Sequence, residues 1–203
     1  IDRSGKRVRS SRYDEVSHEN DRWFGCHGTT EYLLDSNGNE REQANYCYVP
    51  STWAENIVEQ AEKDGLRLSY HTPYRLNIHR DEFCKLAWQT IQTVNSNIWE
   101  HKIAALGIVT GYEDGTFQPT RELSRQEAAV ILQRLYTVLY GTIEASPTLY
   151  ADNGSIGAWA KGSVYAMRQT GIMQGVGANR FDPKNGYTCE QSIITMLRMT
   201  QKA

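Results

Sequence analysis

Residues 107–136 read GIVTGYEDGTFQPTRELSRQEAAVILQRLY: a turn, a short extended piece, a second turn and a helix. Asp114-Gly115 supplies the tight turn, because Gly tolerates positive φ and Asp bonds its own backbone. Phe117 is expected to be an apolar anchor, and Pro119 keeps the chain from running on as a helix. Ser124 stands three residues before Glu127, the spacing of a capping box in which each side chain satisfies a backbone N–H at the other's position. Leu123 and Ala128 fit a hydrophobic staple around that cap. Ala128, Val130, Ile131, Leu135 and Leu139 form a helical apolar stripe. Upstream, residues 98–106 predict a separate helix that Gly107 stops.

The pattern recurs. Gly171 to Gln191 aligns without gaps on Gly107 to Glu127, with Gly175 on Gly111, Asn179 on Gly115, Phe181 on Phe117 and Pro183 on Pro119. Thr188 and Gln191 repeat the capping pair, but Cys189 falls on Arg125. A helix carrying Trp159, Val164, Ala166 and Met167 precedes this loop, after a connector from Gly141 to Gly157. Near the start, Trp53, Ile57 and Ala61, with Val58 on the flank, line one face of a helix that Gly65 ends. The following loop, Leu66 to Asn77, contains Pro73 but no Asp-Gly turn. Ile78-His79-Arg80-Asp81-Glu82 then occupies the cap position before a helix with Phe83, Leu86, Ala87 and Ile91. Three helix-loop-helix units, at about 53–94, 95–140 and 158–203, therefore fill a domain over 51–203. One short amphipathic pair cannot bury its stripe alone, so the units are expected to pack on one another.

This succession resembles the S-layer homology family, whose repeat is a helix, a GYxDGTFxP-like loop and a second helix opened by a Thr-Arg-Ala-Glu-like motif. The second motif stands here as Leu123-Ser124-Arg125-Gln126-Glu127. The resemblance implies a mainly α fold in which three repeats form a pseudo-threefold bundle with grooves between neighbours. It also implies a non-catalytic module of a Gram-positive-type cell envelope, extracellular at the cell wall, that anchors a surface protein to an acidic, pyruvylated-type secondary cell-wall polysaccharide. Other surface-layer proteins are a further implied partner.

Arg125 lies in the first turn of a helix, where the macrodipole disfavours a cation and favours an anion. Alone, it reads as a surface arginine pairing with Glu122 or Glu127; with the glycine-bearing loop of Gly111, Asp114 and Gly115, it reads as an anion site with free helix N–H groups. Arg80 has the same two readings, with Asp81 as its neutraliser. Trp53 and Trp159 each stand twelve residues before their closing glycines, Gly65 and Gly171, whereas the middle unit has Asn95 there. Each indole is either a core residue or a face for stacking on a sugar ring. The candidate carbohydrate-binding set is thus Arg125, Asp114, Gly115, Gly111, Arg80, Trp53 and Trp159.

Residues 1–50 carry a different repeat: IDRSGKRVRSSRY and LDSNGNEREQANY match at Asp2/Asp35, Gly5/Gly38 and Tyr13/Tyr46. Between them, Arg22 to Cys26 and Glu31 to Leu34 are β-prone runs split by His27-Gly28-Thr29, a hairpin signal. This β-rich segment resembles WG repeats and is expected to be the end of a spacer or interaction array. Asp35 to Glu40 lacks the EF-hand spacing and reads as a hairpin turn.

The 203 residues carry a formal net charge of −2, which offers no whole-molecule field for nucleic acid or an anionic membrane. No apolar run approaches the ~18 residues of a membrane span. The chain begins at Ile1, so a processed protein or a fragment is expected. Cys26, Cys47, Cys84 and Cys189 show no zinc spacing; Cys26 and Cys47 are either a pair or free thiols, and Cys84 and Cys189 are expected unbridged. The histidines form no metal-ligand motif, and no nucleophile motif is present, so no metal, cofactor or catalytic role is assigned. Two further readings stay open: a degenerate repeat fold acting as a protein-interaction or structural unit, and the non-catalytic part of a larger envelope hydrolase.

Overall fold

The computed structural model describes residues 15–19, 22–27, 30–35, 39–43, 49–68, 72–96, 98, 104–112, 114–147 and 149–202. The described chain is mainly helical. Its N-terminal part holds four antiparallel strands in sequential order: β1 (Glu15–Glu19), β2 (Arg22–His27), β3 (Thr30–Leu34) and β4 (Glu40–Gln43). Trp23 pairs with Leu34 and Cys26 with Glu31, and the β3–β4 register shifts between Leu33 and Leu34. The Asp35 carboxylate accepts from the Asn39 backbone N–H at 2.8 Å and from its side-chain amide at 3.0 Å. Asp2, Gly5, Tyr13, Gly38 and Tyr46, which carry the WG-like match, lie outside the described residues, as does Cys47 of the Cys26–Cys47 question.

Five α-helices follow: α1 (Glu55–Lys63), α2 (Arg80–Val94), α3 (Arg125–Tyr140), α4 (Lys161–Gln169) and α5 (Cys189–Thr200). The helix expected over 98–106 falls largely outside the described residues, and its described end, 104–107, is a turn. Helix α2 packs on α5 and α3, α3 on α4, and α1 on α5. In α1 the buried stripe is Ala54, Val58 and Ala61, with Trp53 turned out at 56% exposure. Of the two readings of Trp53, core residue or stacking face, the exposure excludes the core. Its neighbour Ala54 takes the inward position because tight helix packing favours the small side chain. In α3 the buried face is Ala128, Ala129, Ile131, Leu132 and Leu135, so the expected stripe shifts to include Ala129 and Leu132 while Val130 and Leu139 sit at its margins.

The residues just before the caps of α2, α3 and α5 meet at one point. Ile78 N–H donates to Tyr187 O at 2.8 Å, Tyr187 N–H to Leu123 O at 2.9 Å, and Leu123 N–H to Ile78 O at 3.1 Å. These three bonds close a ring, and all three side chains are buried. Three paired backbone groups in a dry centre leave no orphan there, which would otherwise cost about 1–3 kcal/mol each. The Ser124–Glu127 capping box forms in full. That expected at Thr188 forms by half: Thr188 Oγ1 accepts from Gln191 N–H at 3.3 Å, but Gln191 Oε1 turns to Arg125.

Candidate functional site

The described parts of loops 107–123 and 171–187 share several backbone features. Gly115 and Asn179, the aligned turn residues, have φ of 77° and 51°, and Gln118 and Asp182 have φ of 49° and 60°. Tyr112 N–H donates to Thr116 O at 2.8 Å, as Val176 N–H does to Arg180 O at 2.9 Å. That fold-back leaves no room for a side chain at the glycine before it. A Cβ on Gly175 would lie 2.5 Å from Arg180 O, and one on Gly111 3.1 Å from Thr116 O. Asp114 accepts from Thr116 N–H at 2.9 Å and from its hydroxyl at 2.7 Å, bonds that hold its carboxyl below the ordinary range. Its chemistry is spent on the turn.

Each loop is held by an arginine from the preceding unit. Arg80 Nε donates to Phe117 O at 2.9 Å and its Nη2 to Thr110 O at 3.0 Å. One unit on, Arg125 Nε donates to Phe181 O at 2.9 Å, Nη2 to Gln174 O at 3.0 Å and Nη1 to Gln191 Oε1 at 3.1 Å. Both guanidiniums lie over aromatic rings: Arg80 over Tyr112 and Phe117, Arg125 over Phe181 and Tyr187. Both side chains are buried, Arg125 at 4% exposure and Arg80 at 5%. Burial pulls the Arg125 pKa below the ordinary arginine value, and the oxygens around it favour the cation.

This geometry corrects three expectations. Arg125 is not a surface residue paired with Glu122 or Glu127; Arg121 takes Glu127 instead, at 3.1 Å. Arg125 does not meet the Asp114-Gly115 loop, which belongs to Arg80. The first N–H groups of these helices are not free, since Arg80 and Asp81 donate to Arg121 O and Pro119 O, and Arg125 and Gln126 donate to Asn185 O and Pro183 O. The physical reason is common to all three: each helix start docks on the next loop, so its cation and N–H groups meet the carbonyls of its neighbour. Phe117, expected as an anchor, is 38% exposed, whereas its counterpart Phe181 is fully buried.

Comparison with known proteins follows the same stretches. The family model of the S-layer homology domain matches residues 101–129 and 149–186. These two stretches are similar to the S-layer homology family. The chain is similar to an S-layer protein of Bacillus thuringiensis subsp. finitimus, 34% identical over 91 residues, covering 45% of this chain and 10% of that protein. It is also similar to cell surface glycoprotein 1 of Acetivibrio thermocellus, 26% identical over 113 residues, covering 51% of this chain and 5% of that protein. An endoglucanase of Bacillus sp. strain KSM-635 is 32% identical over 88 residues, covering 42% of this chain and 9% of that protein. The chain spans a tenth or less of the length of these relatives.

The helical part of the chain carries an open cleft of about 420 Å³. Trp53, Arg125, Gln174, Gly175, Val176, Gln191, Thr195 and Arg198 are among its lining residues. Two of the sequence-predicted residues, Trp53 and Arg125, thus share one cavity although they come from different units. The hold on Trp53 is specific: Ser51 N–H and hydroxyl donate to the Glu190 carboxylate at 2.8 and 2.9 Å, fixing the start of α1 on α5. Gly157 N–H donates to Gln126 Oε1 at 3.0 Å. That is the aligned bond, and it sets Trp159, 60% exposed, at the corresponding place beside α3. Arg198 was missed in the sequence. Its signal was there: it aligns on Arg134, and both follow the first residue of their helices by nine positions. Arg134 Nη1 meets Thr110 Oγ1 at 3.2 Å, and Arg198 Nη1 meets Ile172 O at 3.2 Å.

At the third junction the arginine is absent. Cys189 N–H donates to Leu76 O at 2.9 Å and Glu190 N–H to Tyr74 O at 2.8 Å, so the backbone docking persists. The Cys189 side chain is fully buried. Cys84 and Cys189 are not disulfide-bonded, and burial pushes the Cys84 pKa up to about 11. Among the described residues no group of three His, Cys, Asp or Glu is placed to hold a metal ion, and no helix is long and apolar enough to cross a membrane.

Proposed function

We propose that this chain is a cell-surface anchoring module whose helical part, residues 51–203, binds acidic secondary cell-wall polysaccharide. The observation that carries this reading is the cleft in which the exposed Trp53 indole and the guanidiniums of Arg125 and Arg198 line one cavity with no carboxylate among its described lining residues. An indole offers a flat apolar face to a sugar ring, and a guanidinium forks onto a carboxylate. The two chemistries together suit an acidic sugar. Similarity to an S-layer protein and a surface glycoprotein supports the placement at the cell surface.

In this reading the three backbone bonds among Ile78, Leu123 and Tyr187 mark the axis of a pseudo-threefold bundle, and grooves lie between neighbouring units. Each groove is composite. One joins Trp53, Arg125 and loop 171–187; the second joins Trp159, Arg80 and the loop with Gly111, Asp114 and Gly115. The third has Cys189 and Asn95 in place of arginine and tryptophan and contributes little. Residues 1–50 act as a spacer of WG-repeat type, and the module itself is non-catalytic. The similarity to an endoglucanase supports its occurrence beside a catalytic domain in a longer chain.

Co-sedimentation with purified wall polysaccharide tests the reading. The chain is expected to pellet with the acidic polymer, and Trp53→Ala to reduce that fraction. No co-sedimentation of the folded chain removes the anchor reading and leaves an interaction or structural unit.

A further inference from the structure

Two arginines line the Trp53 cleft, and their circumstances differ. Arg125 is 4% exposed, and three of its five N–H groups are already engaged, two of them with carbonyls of loop 171–187. Arg198 is half-buried, with one bond to protein, from Nη1 to Ile172 O at 3.2 Å. It stands on α5 with Gln191, Ile194 and Thr195, all on the cleft-lining face, as their spacing of three, four and seven residues requires. The Gln191 side-chain amide of this row offers a neutral hydrogen bond beside a cation with donors to spare, whereas the buried Thr195 hydroxyl is spent on Ser192 O and Tyr187.

We propose that Arg198 is the residue that reads the acidic group of a ligand in this cleft, and that Arg125 is a positioning residue that shapes the cleft by holding loop 171–187. The inference rests on the glycan-anchor reading and assigns specificity within it. Arg125 fixes the carbonyls of Gln174 and Phe181, and so the walls at Gly175 and Val176. Arg198 keeps a free guanidinium edge, the geometry that accepts a carboxylate bidentately. Trp53 supplies the ring-stacking face and does not distinguish acid from neutral sugar.

The test is calorimetric titration of the whole chain with acidic wall polysaccharide and with the same polymer after mild acid hydrolysis has stripped its carboxyl-bearing substituent. The wild type is expected to prefer the acidic polymer. Arg198→Gln should lower affinity for the acidic polymer by between about tenfold and a hundredfold and largely erase the preference. Arg198→Lys should restore part of it, because the charge returns without the planar fork. Arg125→Lys should lower the melting temperature and weaken both polymers by a similar factor, keeping their ratio. Trp53→Ala should also weaken both. If Arg198→Gln keeps the wild-type ratio, or Arg125→Lys erases it at unchanged melting temperature, the assignment is overturned while the anchor reading stands. A wild type that binds neither polymer overturns both.

Discussion

The loops that precede α3 and α5 are built alike and gripped alike, each by an arginine reaching over from the unit before. The loop that precedes α2 is three residues shorter between its closing glycine and the ring residue Ile78, and it has no Asp-Gly turn. The residue that should grip it is Cys189. Loop and latch have changed together, and the comparison explains why. An arginine in that buried position is tolerable only where loop carbonyls converge on it, as Thr110 and Phe117 do for Arg80. In the first unit, whose loop lacks the Asp-Gly turn, a small, weakly polar thiol fills the place.

The sharpest way to break this comparison is to restore the arginine without its loop. Cys189→Arg places a cation at a site with 0% exposure. It is expected to destabilise by roughly 3–5 kcal/mol, the range for an uncompensated buried charge. Urea denaturation measures it, and a neutral result would show that the first loop can still accept a latch.

The converse change comes next. Arg125→Ala removes three hydrogen bonds and leaves the Phe181 and Gln174 carbonyls in the interior. A loss of about 3 kcal/mol is expected. Arg80→Ala should cost less, because Phe117 at the corresponding contact is 38% exposed and water can replace part of the interaction. Equal losses would mean that the two latches are energetically equivalent despite their different surroundings.

A smaller contrast separates the two glycines. Gly175→Ala drives a Cβ to 2.5 Å from a backbone oxygen and is expected to cost about 1–3 kcal/mol. At Gly111 the corresponding distance is 3.1 Å, so the loop has only to give by a few tenths of an ångström, and a smaller loss is expected. Thermal melts of the two variants, run side by side, rank them.

The smallest effect concerns acid. Burial raises the pKa of Asp152, but the backbone N–H groups of Phe181 and Asp182, at 2.9 and 2.7 Å, outweigh it and hold the carboxyl below its ordinary value. A depressed folded pKa contributes stability above the unfolded value of about 3.9 and loses it as pH falls through the folded one. Loop 171–187 is therefore expected to lose support only below about pH 4, and Asp152→Asn to flatten that part of the pH–stability curve. An unchanged acid limb in the variant would place the acid sensitivity elsewhere.

The helix caps and loop turns were legible because they rest on local chemistry: Ser124 three residues from Glu127, glycine where φ is positive, apolar residues at helical spacing. The site was legible in its parts and misread in its pairing. Arg125 and Asp114-Gly115 are neighbours in the chain, and nothing within eleven residues shows that the arginine reaches forward to Gln174 and Phe181. The Trp53 question had the same limit, since facing the cleft depends on Ser51 being fastened to Glu190. Arg198 looked like an ordinary charge near a helix end until α5 was seen to form a cleft wall.

That Ser51–Glu190 clamp has a mechanical side. It ties the entry of the helical region to a helix 139 residues further along, through two hydrogen bonds to one carboxylate. A pull arriving from the β-rich segment therefore reaches α5 before it loads the first turn of α1. Tension entering at Ser51 would thus be shared with the wall of the Trp53 cleft.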